Sequence, residues 1–187
     1  MDEATKVAPT TSEIACVTPR SKVTGSISAT TQTFSTPATI DLAALRTKCG
    51  TTGGASCGNL ADQVKQSTQA CKDAFCYEFS NSQAHFNGAG NTFVQDLGYY
   101  PEGFNPKSIA DDNIPVNYKV KNTSGYQNTD GYSVSGQSLP LQENHIYAVA
   151  TVADAAKKEY YYDLIYVSKI NTDSSISVEM RIANKKE

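Results

Sequence analysis

The clearest pattern in the chain is a strict alternation near its end. Ile176, Val178, Met180 and Ile182 are separated by Ser177, Glu179 and Arg181. A period of two puts the four apolar side chains on one face of an extended segment, so a half-buried strand is expected there. Asn171-Thr172-Asp173-Ser174 precedes it as turn chemistry, joining it to an aromatic run over residues 160–168 in a hairpin. Residues 146–152 are more continuously apolar, as in a strand covered on both faces. Residues 116–121 alternate, and residues 13–18 and 23–28 do so weakly inside a stretch rich in Thr, Ser and Pro. Residues 122–142 read as a long polar surface loop around one short strand.

A helical period occurs twice. Leu42, Leu45 and Cys49 stand at i, i+3 and i+7, with Asp41 at the first turn and Gly50 at the end, which predicts a short helix over about 40–49. Leu60, Val64, Ser67, Cys71 and Phe75 form a second stripe at spacings of four, three, four and four. Asn59 is placed as its N-cap and Asp62 adds negative charge to its first turn, so this reads as a long helix from Asn59 to about Phe79. Ser80-Asn81-Ser82 ends it. Phe93, Val94 and Leu97 then dock a short turn onto the core, Pro101 favours an extended predecessor, and Gly103 permits a positive φ.

The fold class expected from this order is α+β: one long helix packed on an antiparallel sheet of about four to five strands, with an irregular, disulfide-pinned N-terminal region. Residues 1–38 read as a Thr/Ser-rich arm or a pair of edge strands, and 39–187 as one domain. A chain of 187 residues is long enough for one sizeable core.

Charge narrows the function classes. A net charge of −3, with 16 Lys and Arg scattered along the chain, argues against a nucleic-acid binder, which needs a basic patch. An apolar content of 39%, 11 Tyr and no Trp suit a β-rich surface or secreted protein. No apolar run approaches the ~20 residues of a membrane span. The polar first residues are not a signal peptide, so the expectation is that a targeting segment has been removed.

Five cysteines, Cys16, Cys49, Cys57, Cys71 and Cys76, are separated by 33, 8, 14 and 5 residues. No Cys-x-x-Cys pair occurs, and His85 and His145 are isolated, so disulfides are favoured over zinc. Cys49 and Cys57 flank the flexible run Gly50-Thr51-Thr52-Gly53-Gly54-Ala55-Ser56 and are the favoured pair. On a helix, Cys71 and Cys76 would lie roughly 140° apart, and a bond between them would need distortion. The odd count leaves one thiol or one intermolecular bridge.

No constellation reads as an active site. There is no Gly-x-Ser-x-Gly elbow for a hydrolase, and neither histidine has a partner motif. Asp111-Asp112-Asn113 and Asn128-Thr129-Asp130-Gly131 fall short of a calcium array and read as caps and turns. In Tyr160-Tyr161-Tyr162, strand geometry sets Tyr161 opposite the other two, so at least one ring belongs in the core rather than on a sugar. Asn122-Thr123-Ser124 matches a glycosylation acceptor, a pattern common by chance. No catalytic, cofactor-binding or metal residue is assigned, and the chain is read as a non-enzyme.

One resemblance joins these pieces. The order runs from a helix carrying Phe75-Cys76-Tyr77-Glu78, through Gly98-Tyr99-x-Pro101-Glu102-Gly103, to the strands Tyr147-Ala148-Val149-Ala150 and Asp163-Leu164-Ile165-Tyr166. It resembles the globular domain of bacterial type IV pilins and pseudopilins over roughly residues 59–178. The resemblance implies a fold-signature turn at Gly98, Tyr99, Pro101, Glu102 and Gly103. It also implies a structural or accessory role in an extracellular filament, with other filament subunits as partners. The apolar N-terminal helix of such pilins is not among these residues, so the resemblance implies that it has been removed or comes from a separate chain. The competing reading is a secreted, disulfide-linked binding module, an adhesin or carbohydrate-binding domain of β-sandwich type. Two facing sheets with residues 60–78 non-helical would select the second.

Overall fold

A computed structural model describes residues 20–31, 35–51, 60–66, 71, 74–89, 91–104, 138–183 and 186. Their elements in chain order are β1 (Arg20–Ser28), β2 (Thr30–Thr31), β3 (Ser35–Thr36), β4 (Ala38–Ile40), α1 (Leu42–Thr51), a 3-10 turn (Leu60–Gln63), β5 (Val64–Gln66), β6 (Phe75–Ser80), β7 (Gln83–Gly88), β8 (Thr92–Tyr99), β9 (Ser138–Pro140), β10 (His145–Asp154), β11 (Glu159–Ile170) and β12 (Ser175–Ala183). Two antiparallel five-stranded sheets result, ordered β9-β7-β6-β4-β5 and β1-β12-β11-β10-β8, with β2 and β3 as a separate ribbon. The expected strand at residues 116–121 lies outside the described residues.

The α+β expectation is overturned. No long helix spans residues 59–79: a 3-10 turn and β5 occupy 60–66, and β6 begins at Phe75. The reason is visible in Phe75-Cys76-Tyr77-Glu78-Phe79 itself. It alternates, sending Phe75 and Tyr77 into the core while Glu78 stays only partly buried. Aromatic residues suit a pleated, half-buried surface, and pairing with β4 and β7 gives each a cross-strand neighbour that an isolated helix lacks. Ser80-Asn81-Ser82 is turn chemistry, but of a hairpin. Asn81 and Ser82 have φ of 52° and 60°, the left-handed pair that suits a two-residue link between twisted strands.

The sheets share one core. Val23 and Ile27 of β1, Tyr147 and Val149 of β10, Ile165 and Val167 of β11 and the Ile176–Ile182 series of β12 pack against Ile40, Phe75, Tyr77 and Phe86 of the other sheet. The Phe86 and Tyr147 rings meet edge to face across the interface, centroids 5.5 Å apart. The Tyr77 hydroxyl crosses it to donate to the Ser174 carbonyl. Ile146, Ala148 and Ala150 face the other way, in a second cluster with Phe93, Tyr160, Tyr162 and Leu164. β10 is therefore buried on both faces, as its unbroken apolar run implies. In the tyrosine triplet, Tyr160 and Tyr162 are core residues and Tyr161 points to the opposite face, where the Arg46 guanidinium lies 4.2 Å from its ring centre.

The short helix appears almost where its period places it. Asp41 caps it: the Ala44 N–H donates to Asp41 Oδ1 at 2.9 Å, and Leu42, Leu45 and Cys49 are buried. Its placement depends on one buried ion pair. Arg46 Nη1 donates to Asp163 Oδ2 at 2.6 Å, and the Ala183 N–H donates to Asp163 Oδ1 at 2.8 Å. Asp163 is fully buried. A buried carboxylate is tolerated only with its lone pairs filled.

Cys71 and Cys76 are joined, with Cα atoms 6.2 Å apart, against the expectation from a helix. Cys76 lies within strand β6 and Cys71 four residues ahead of its first residue, so the helical separation does not apply. Cys49 is also disulfide-bonded. Cys16 and Cys57 lie outside the described residues.

Arg46→Met leaves Asp163 buried without its countercharge and is expected to lower stability by about 3–5 kcal/mol in urea unfolding. A second expectation concerns alkali. Burial, and Asp173 nearby, push the Tyr77 phenol above its ordinary range. Burial raises Tyr147 likewise, with Asp96 adding to it and the Gln142 N–H opposing. Both pKa values are raised by folding, so the unfolded chain ionises first. The phenols' contribution is intact below pH of about 10 and is lost as pH climbs through and beyond that value. Denaturant midpoints measured against pH should fall in that window, and Tyr77→Phe should flatten the fall.

Candidate ligand pocket

The first turn of α1, β4, β5 and the start of β6 enclose one side of an open cleft, whose far wall is the Thr92–Thr151 pair of β8 and β10. Its volume is about 340 Å³, at the small end of ligand-binding cavities. The local fold explains the opening. β5 has only three residues, and the chain turns from β4 into the capped helix at Asp41, whose N–H donates to the Gln63 carbonyl at 2.9 Å. The ladder therefore stops at Ile40–Val64 while β8 and β10 continue in the other sheet.

The described lining is mixed in character. Ile40, Leu42, Ala43, Ala74 and Phe75 supply apolar surface; Thr39, Thr92, Thr151 and Gln63 supply hydroxyls and an amide; Asp41, Arg46 and Lys65 carry charge. Asp41 is engaged by the Ala44 N–H. Arg46 is held by Asp163 on one side and the Tyr161 face on another, so a long side chain is fixed before any ligand arrives. Thr151 Oγ1 is buried and has no hydrogen-bond partner. An unmatched buried hydroxyl costs about 1–3 kcal/mol, and this one lies on the cavity wall.

The disulfide adjoins the site. Its short loop contains Ala74, which lines the cavity and whose carbonyl accepts the Ala89 N–H at 3.2 Å. Cys76 pairs with Thr39 in the ladder, its Sγ 3.8 Å from the Thr39 hydroxyl. The staple thus braces the wall shared by β4 and β6.

The sequence-derived turn lies elsewhere. Gly98 and Tyr99 end β8, opposite Ile146 and His145, beside a bulge between Ile146 and Tyr147. Pro101 and Glu102 form an exposed turn closed by the Gly103 N–H donating to the Tyr100 carbonyl at 2.9 Å. Gly103 has φ 65°, and a Cβ there would stand 2.9 Å from the Tyr166 ring. The unit ends an edge strand rather than linking a helix layer to a sheet. Beside it His145 Nδ1 is 2.9 Å from Asp96 Oδ1, which also accepts the Gly98 N–H at 2.8 Å. No nucleophile contacts this His–Asp pair among the described residues, so it orders the corner without forming a triad. His85 sits on β7, in the other sheet from His145 on β10. Among the described residues no group of three His, Cys, Asp or Glu is arranged to hold a metal, and no helix is long and apolar enough to cross a membrane. Residues 111–113, 122–124 and 128–131 lie outside the described residues.

None of the pocket's polar residues is singled out by motif. Two signals point toward it. Arg46 falls at i+4 from Leu42, beside the apolar stripe, and Asp163 interrupts an otherwise apolar and aromatic strand; a charge in each pattern implies a buried pair. Comparison with protein-family models, curated proteins and solved structures found no match.

Thr151→Val removes the orphaned hydroxyl at nearly constant shape and is expected to raise stability by about 1 kcal/mol in the ligand-free protein, measured by chemical denaturation. Gly103→Ala places a methyl against Tyr166 at a positive φ and should cost about 2 kcal/mol in the same assay.

Proposed function

We propose that this chain is a secreted, disulfide-stapled β-sandwich binding module that takes a carbohydrate-type ligand in the cleft between α1, β4, β5 and the Thr92–Thr151 pair. The observation that carries this reading is a cleft of about 340 Å³ that combines apolar surface with hydroxyl, amide and guanidinium groups on its described walls. A sugar ring has that mixed character, with C–H faces for Phe75 and Leu42 and hydroxyls for the threonines and Gln63. The two-sheet core also favours a binding module over a filament subunit, since the filament role rests on a helix spine that residues 60–80 do not form. Extracellular location is supported by the disulfides at Cys71–Cys76 and Cys49, which persist in oxidising compartments.

The test is ligand-observed NMR against a panel of mono- and disaccharides, followed by amide shift mapping. Binding should perturb Thr39, Gln63, Lys65 and Thr151 together. A panel with no binder, or perturbations confined to the Tyr99–Gly103 corner, contradicts the reading.

A further inference from the structure

Resting on that reading of the cleft, we infer that its ligand is an acidic sugar, a ring bearing a carboxylate that Arg46 and Lys65 receive. Two cations, Arg46 and Lys65, and one carboxylate, Asp41, stand in the described wall. Asp163 is fully buried behind Arg46 and spends one of the five guanidinium donors, leaving a planar fork at the cleft. A guanidinium stacked on Tyr161 and tied to a carboxylate cannot swing away, which suits a bidentate acceptor more than a mobile one. Lys65 is exposed on the opposing strand β5 and forms no ion pair with a carboxylate among the described residues. Asp41, the remaining charge, is occupied in capping α1, so its carboxylate is turned to the Ala44 N–H.

The first turn of α1 adds to this preference. Leu42 and Ala43 line the cleft, and the opening N–H groups of a ten-residue helix carry partial positive charge. The apolar side of the ring has Leu42 and Phe75 to lie on. A volume of about 340 Å³ is enough for one sugar ring.

The experiment is calorimetric titration of the full chain with glucuronic and galacturonic acids, and with glucose and galactose as neutral counterparts, at low and high salt. The acids should bind at least about tenfold more tightly than the neutral sugars, with the advantage shrinking as salt rises. Lys65→Gln, a change at an exposed position, should reduce acid affinity about threefold to tenfold and neutral-sugar affinity by less. Arg46→Lys keeps a cation for Asp163 but loses the fork; where melting shows it folded, it should lose most acid binding. Equal affinity for acid and neutral sugars, or a Lys65→Gln variant with unchanged acid affinity, overturns the charge assignment while leaving the cleft a sugar site. Binding of none of the four sugars overturns the acidic-sugar proposal and, with an empty disaccharide panel, the reading beneath it.

Discussion

The edge-to-face contact between Phe86 and Tyr147, reinforced by the Tyr77 hydroxyl on the Ser174 carbonyl, is where two sheets become one protein. Each sheet has an apolar face that is unstable alone in water. Burying a large aromatic side chain removes roughly 150–250 Å² from solvent, and Tyr77, Phe86 and Tyr147 are all buried at this junction. Everything else is arranged around that core. β12 contributes its alternating isoleucines and valine, β1 covers the flank, and the 3-10 turn sets Leu60 against the bare backbone of Gly25.

The candidate site is a by-product of how the sandwich ends. α1 closes the open end of the core, but it is held there by an ion pair, and the Arg46 that holds it also lines the cleft. Stability and recognition therefore share a residue. Replacing such a buried pair as a unit with apolar groups is often neutral or stabilising, whereas removing one partner alone is costly.

Much of the second half was legible. The hairpin β11–β12 and the division of the tyrosine triplet follow from a period of two, and the doubly buried β10 from its continuous apolar run. The capped helix was legible because Asp41 and the Leu42–Leu45–Cys49 spacing agree. The misreading came at residues 60–79, where a five-point stripe fits a helical period and a five-residue aromatic alternation fits a strand. Sequence spacing cannot weigh them, because β6 is decided by its partners β4 and β7, which come from before and after it in the chain. The expectation against a Cys71–Cys76 bond failed with it, because it rests on helical geometry, while the preference for disulfides agrees with that bond and with Cys49. The pocket was illegible for a different reason. Its residues come from seven separate elements, and no two of the polar ones form a spaced motif.

Inter-residue NOEs over residues 75–88 test the central claim most directly. A sandwich predicts cross-strand contacts between Cys76 and Asn87 and between Glu78 and His85, together with Phe86 ring protons close to those of Tyr147. Continuous sequential amide–amide contacts from residue 60 to 79, with no Phe86–Tyr147 contact, would show a helix in place of β6 and contradict the account.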